Sequence, residues 1–380
     1  MLCITSILTS CHCIVTLDHK SGKVRLASPH GWEAIKLLKK EKRLNKHVWK
    51  HRGHDHFAFF SLIGFQYVGI GTKTFFQKVC NNCSALTIET TPFHIAQPGR
   101  SRKYWYAVPY PSSFHWCEGI KEYPWSVRPV GSRDIIAIFI GSIKTKTPKS
   151  TQLRRQLNKD CKKMTEKECQ WHATAHSCTG IQGNVSSPVL MYKRTQFCLT
   201  PTGDSFTRKS LFDSYLAGCI PVIFARLTLG MYHWHITPEE LEATSVFIPR
   251  NDILSGKTNF MDVLKAIPAQ KVLEMQINIE KIGFRLQYSV VPDEYRESSS
   301  DIETVNAQEM RKTWRPPQSD AVDVILERLL NRETIEPING FSDEVFEKLQ
   351  DGQLDFMRNE WMAINANSSL VDKNIKAITG

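Results

Sequence analysis

The chain is 380 residues long, 41% hydrophobic and 23% charged, enough apolar mass for two ordinary cores and a charge content typical of a soluble globular protein. Its net charge of +11 points to an anionic substrate, a polyanion or a membrane surface. The Lys and Arg residues are spread from Lys20 to Lys376, no block is dense enough to read as a basic arm for nucleic acid, and no nucleic-acid partner is expected.

Met1 to Leu17 is mostly apolar, but it carries Thr, Ser, His and three Cys and ends at Asp18. It is short and polar for a membrane span, and reads either as a buried strand pair or as an anchor. Residues 31–50 are predicted to form an amphipathic helix with Trp32, Ile35, Leu38 and Leu44 or Val48 on its apolar stripe. His56 to Phe65 reads as a buried strand and turn, and Leu86 to Thr90 and Tyr104 to Val108 as short strands. Pro109, Pro111, Pro124 and Pro129 then mark a loop-rich boundary. This gives a first domain over residues 1–130.

Asp134 to Ile140 is a continuous apolar strand ending in Gly141-Ser142, and a basic helix follows over Ser150 to Lys163. Residues 197–224 carry the strongest pattern. A strand, Phe197 to Leu199, leads into a Pro-Thr-Gly-Asp turn. A helix with Arg208, Lys209 and Asp213 follows, then a Gly-Cys break and a strand, Ile220 to Phe224. This is the βαβ order of a parallel sheet, whose ligands bind beyond the carboxyl ends of the strands, where helix N-termini present free N–H groups. Ser245 to Ile248 is a further strand. Met261 to Ile267, stopped by Pro268, Val272 to Leu286, and Ala321 to Leu330 are helices. The second domain spans 131–332, and 333–380 reads as a peripheral tail.

The 11 cysteines form no zinc framework, because Cys80 and Cys83 have no second pair at the right spacing. Cys161, Cys169 and Cys178 cluster where a secretory protein would place a disulfide. Sequons begin at Asn82, Asn184 and Asn367, a weak pointer to a lumenal setting.

Three constellations could carry chemistry. His51, His54, Asp55 and His56 lie within six positions. They could ligate a metal, though at no familiar spacing; Asp55 or His56 could act as a general base; or the segment is a plain capped turn. Trp105 to Trp116 holds five aromatics, with His115 and two prolines, either a stacking wall for sugar rings or simple loop packing. Arg208 has the planar fork that binds two oxygens of a diphosphate, while Asp213 lies five residues on and could share one cleft end with it. An ordinary solvated helix face is the alternative.

Taken in order, RGHDHF, VPYPSSFH, the strand at Ile135 to Gly141, GDSFTRKSLFDSYLAGCIPVIF and SVFIP resemble the exostosin-like glycosyltransferases, glycosyltransferase family 47. The nearest likeness is to the plant xyloglucan galactosyltransferase branch, over roughly residues 31–331. His54 stands where the family usually has Arg. The resemblance implies an α/β fold of GT-B type: two Rossmann-like lobes facing a cleft, with this chain beginning inside the N-terminal acceptor lobe. It implies inverting transfer of a hexose such as galactose from a UDP-sugar to a polysaccharide or glycoprotein acceptor. No cofactor or metal is expected. Golgi-membrane residence with a lumenal catalytic domain is implied, with another glycosyltransferase as a candidate partner. By position, Gly203, Asp204, Ser205, Arg208, Lys209 and Asp213 would bind the nucleotide sugar. Tyr110, His115 and Trp116 would bind the acceptor, and Asp55 or His56 would be the catalytic base. A catalytically inactive carbohydrate-binding or scaffold protein on the same fold is the alternative.

Overall fold

A computed structural model describes residues 16–17, 24–25, 57–63, 84–89, 105–112, 114, 116, 122–129, 131–145, 148–173, 190–203, 207–225, 228, 232–289 and 317–331. The chain divides into two compact units, Met1–Val108 with Ser177–Gln182, and Pro109–His176 with Gly183–Gly380. The division falls at the first of the four prolines that mark the boundary in the sequence, so residues 109–130, read there as the end of the first domain, belong to the second unit.

In the first unit β1 (Thr16–Leu17) and β2 (Val24–Arg25) pair antiparallel. Strands β3 (Phe57–Ile63), β4 (Ser84–Glu89) and β5 (Trp105–Ala107) form a parallel sheet in that order. Leu86 and Ile88 are buried apolar residues of β4, and Val108 donates a 2.8 Å backbone hydrogen bond to Thr87, extending the β4–β5 ladder by one residue. The helix expected over 31–50 lies outside the described residues.

The second unit is built on a five-stranded, all-parallel sheet. Its strands are β6 (Ile135–Gly141), β7 (Cys169–Ala173), β8 (Thr195–Thr200), β9 (Ile220–Ile223) and β10 (Val246–Phe247), in the order β10-β9-β8-β6-β7. The run IPVI is buried throughout and IIAIFIG buries Ile135, Ala137, Ile138 and Phe139, as expected of strands covered on both faces. Pro221 is tolerated in β9 because β10 pairs only from Val222 onward. The connections are α1 (Pro148–Cys161) between β6 and β7, and α2 (Lys209–Leu216) between β8 and β9. They run in opposite directions along the sheet, so right-handed crossovers place them on opposite faces. Around α6 (Ala269–Leu286) pack α2, α3 (Pro238–Thr244) and α7 (Ala321–Leu330), while α4 (Arg250–Leu254) packs on α1. The short α5 (Phe260–Lys265) precedes α6. Capping boxes start α3 at Thr237 with Glu240, and α7 at Asp320 with Asp323.

Arg133 ties the amino edge of this sheet. It donates to the carbonyls of Tyr192 at 3.0 Å, Thr195 at 2.8 Å and Ala217 at 2.8 Å, and burial pulls its guanidinium down to about 10. Gly218, at φ +66°, lets this arginine approach, since a Cβ there would lie 2.5 Å from Nη2. Disulfides join Cys161 to Cys169 and Cys198 to Cys219. The first closes between two of the three cysteines singled out in the sequence. The second ties β8 to the turn before β9. Among the described residues no helix is long and apolar enough to cross a membrane.

Candidate functional site

Strand order locates the site before any side chain is considered. Numbered within the second unit, the order is 2-1-3-4-5, a doubly wound sheet whose direction of build reverses between β6 and β8. The loops leaving the carboxyl ends of those two strands part there and open a crevice for a ligand. Those loops hold Ser142 after β6 and Pro201 to Gly203 after β8.

Arg154, on α1, bridges them. Its Nε donates to the Thr202 carbonyl at 3.0 Å, its Nη2 to Pro201 at 3.3 Å, and its Nη1 to the Ser142 carbonyl. The side chain is only 2% exposed, and its guanidinium lies 5.6 Å from the centre of the Phe139 ring. Ser150 and Thr202 share a 2.8 Å hydroxyl contact beside it. Arg208, the N-cap of α2, comes to the same place. A Cβ on Gly203 would lie 1.6 Å from Arg208 Nη2 and 3.0 Å from Arg154 Nη2. The two guanidiniums are therefore held within roughly 5 Å of each other at the N-terminus of α2, where the helix dipole adds partial positive charge. Glycine at 203 is required by this close approach.

Along α2 the charges pair off. Lys209 Nζ meets both Asp213 oxygens, at 2.7 and 2.9 Å, and Ser112 Oγ donates to Asp213 Oδ1 at 2.6 Å. Lys209, expected to face a diphosphate, is thus directed along the helix to Asp213. Tyr192 lies in the field of both Asp213 and Arg208. Burial lifts its phenol well above the usual range, the Asp213 charge adds to this and Arg208 opposes it, so Tyr192 is a neutral hydroxyl among charges. Tyr232 donates to Thr207 Oγ1 at 3.3 Å, steadying the residue before Arg208.

The 109–116 segment is docked on the same unit. Tyr288 donates to the Pro109 carbonyl at 2.8 Å, and the Trp116 amide donates to Gln287 Oε1 at 2.9 Å. Tyr110 packs on Phe212, with ring centres 5.9 Å apart. Trp116 is 7% exposed and offers no open face to a sugar, whereas Tyr110 is half-buried. Of the other expected site residues, His51, His54, Asp55, His56, His115, Asp204 and Ser205 lie outside the described residues. The structure brings together Gly203, Arg208, Lys209 and Asp213. It adds Arg154, Ser112 and Tyr192, which the sequence reading did not single out. Arg154 looks there like one more cation of a basic helix, and only its lack of exposure reveals its role. The Ser112–Asp213 contact joins positions 101 residues apart, which no local pattern shows.

Comparison with known proteins gives one family. The Exostosin GT47 domain profile matches residues 12–263. Xyloglucan galactosyltransferase MUR3 of Arabidopsis thaliana is 29% identical over 296 residues, which cover 74% of this chain and 42% of that protein. Probable xyloglucan galactosyltransferase GT19 of the same plant is 27% identical over 335 residues, 80% of this chain and 66% of that one. The chain therefore spans less than two thirds of the length of either relative. Among solved structures, the calicheamicin glycosyltransferase CalG4 matches over 72% of this chain and 64% of that chain, at 11% identity and a TM-score of 0.28. The α/β assignment rests on the strand order above, not on that likeness.

Proposed function

Since the chain belongs to the exostosin GT47 family of glycosyltransferases, we propose that it transfers a hexose, galactose by its kinship to MUR3 and GT19, from a UDP-sugar to a polysaccharide acceptor. The observation that carries this reading is the convergence of Arg154 and Arg208 on Gly203 at the carboxyl ends of β6 and β8. Two like charges so close repel each other, and a diphosphate placed between Arg208 and the N-terminus of α2 relieves that repulsion.

The acceptor hydroxyl attacks the anomeric carbon while the bond from that carbon to the UDP oxygen breaks. The electron pair leaves with UDP, the configuration inverts, and the hydroxyl proton passes to a base. Asp55 or His56 fills that role by motif. Charge developing on the departing diphosphate is stabilised by Arg208 and the helix end, held in place by Arg154, and this reading calls for no resident metal. Asp213, oriented by Lys209 and Ser112, faces the ribose hydroxyls. The two disulfides support an oxidising, lumenal compartment, with the Golgi as the family's expected address.

A UDP-release assay tests the proposal. With UDP-galactose and xyloglucan, purified protein releases UDP only when the acceptor is present, and Arg208→Ala lowers the rate by about a hundredfold or more. Equal release by that variant, or no release from any UDP-sugar, overturns it.

A further inference from the structure

Phe139, on β6, pairs in register with Trp171 on the edge strand β7. Their rings stack with centroids 4.0 Å apart and planes inclined by 24°. The Arg154 guanidinium lies over the same Phe139 ring, 5.6 Å from its centre. An indole so close leaves no room for a cation on its own side, so the ring lies between Trp171 and Arg154. Phe139 is 1% exposed and Arg154 2%, which keeps water out of the contact and strengthens it. The carbonyls of Ser142, Pro201 and Thr202 take the edges of the guanidinium. Opposing them is Arg208, whose like charge reaches the same spot at Gly203.

We propose that Phe139 is a positioning residue of the transfer site: its ring face holds the Arg154 charge against that of Arg208, ready for a diphosphate. The face of an aromatic ring is electron-rich and attracts a cation, most strongly where the pair is desolvated. The hydrogen bonds to the three carbonyls fix the edges of the guanidinium, and the ring adds an attraction that acts on its charge. Without that attraction, repulsion from Arg208 moves Arg154 off the Gly203 turn in part of the molecules. A diphosphate then meets fewer competent sites, and its apparent affinity falls by the competent fraction. Trp171 acts one step further back, by keeping the Phe139 ring from turning. In the sequence Phe139 is only one more apolar residue of a buried strand. The choice of a diphosphate as the ligand rests on the transferase reading above; the stack of Trp171, Phe139 and Arg154 does not.

Replacing Phe139 alone by difluorinated and trifluorinated phenylalanine in the full chain tests this, because fluorine withdraws electrons from the ring face and keeps its shape. UDP and uridine are titrated calorimetrically into these two chains, wild type and Phe139→Leu. UDP affinity should fall stepwise with fluorination and be about tenfold weaker in Phe139→Leu, while uridine affinity stays the same. Unchanged UDP affinity in both fluorinated chains overturns the proposal, even where Phe139→Leu binds more weakly, since packing alone then explains the leucine variant. An equal loss of uridine affinity overturns it too. Where Phe139→Leu does not fold, the fluorinated chains decide alone. A wild type that binds no UDP overturns the transferase reading together with this proposal. A flat series around a wild type that binds UDP overturns this proposal alone.

Discussion

Ser112 donates a 2.6 Å hydrogen bond to the carboxylate of Asp213, the same group that Lys209 holds through both oxygens. The Asp213 side chain is only 9% exposed, so its position is set by these two partners and not by solvent. One of them comes from the proline-rich 109–112 stretch, the other from the preceding turn of α2. The contact makes that loop part of the second unit. Removing the hydroxyl in Ser112→Ala should cost about 1.5 kcal/mol of stability, as for a hydrogen bond to a charged group. Urea unfolding measures this. Initial rates at varied donor concentration should show KM for the UDP-sugar rising while kcat changes less, because the acidic group is displaced but retained.

Gly203→Ala tests the convergence of the two arginines without removing a charge. The new methyl would lie 1.6 Å from Arg208 Nη2, so the Arg208 guanidinium must swing away from the crevice. Turnover should fall by about as much as in Arg208→Ala, the equivalent of about 3 kcal/mol of transition-state stabilisation. Steady-state kinetics of the two variants side by side checks the match, and circular dichroism confirms the fold.

How far the site could be read in advance depended on how local its parts are. Gly203, Arg208, Lys209 and Asp213 sit in one strand–turn–helix run with a strong pattern, and the structure gathers them. Arg154 is placed by a crossover from β6, and Ser112 by a loop that packs from far along the chain. The sequence shows neither, because burial and pairing across such separations leave no periodic trace. The same holds for strands: β6, β8 and β9 stand out as apolar runs, whereas β7, with Gln170 and His172 on a half-exposed edge, carries no such run and was not anticipated. The terminal helix α7, with its Asp320 cap and amphipathic stripe, has the expected bounds. Of the disulfides, Cys161–Cys169 falls within the cluster of three cysteines, while Cys198 lies inside an apolar strand and Cys219 in the turn just before another, where cysteine reads as a small core residue.

Glu168 gives the fold an acid-sensitive joint. The Lys265 ammonium, then the backbone N–H and hydroxyl of Thr165, hold its carboxyl down to about 2, from an ordinary 4.5. A depressed carboxyl stabilises the folded state fully above the unfolded value, and that stabilisation is lost as pH falls from 4.5 through 2. Urea midpoints of wild type should drop across this window more steeply than those of Glu168→Gln, which has no carboxyl to protonate there. Parallel curves would exclude a role for the Glu168–Lys265 bridge.

The Cys198–Cys219 disulfide closes a 21-residue separation that runs from β8 through α2 to the turn before β9, and both cysteines are buried. Replacing both with Ala should cost about 3 kcal/mol, read as a fall in Tm of several degrees. The bond lies within the layer that carries the turn and α2, so the double variant should still bind UDP at temperatures where it remains folded.

The central claim is that Arg208, set against Arg154 at Gly203, grips a diphosphate. Calorimetric titration of UDP and of uridine into wild type and Arg208→Ala tests it most directly, since the two ligands differ only in the phosphates. UDP affinity should fall about a hundredfold in the variant, and uridine affinity should stay the same. UDP bound equally tightly by both proteins would contradict the account.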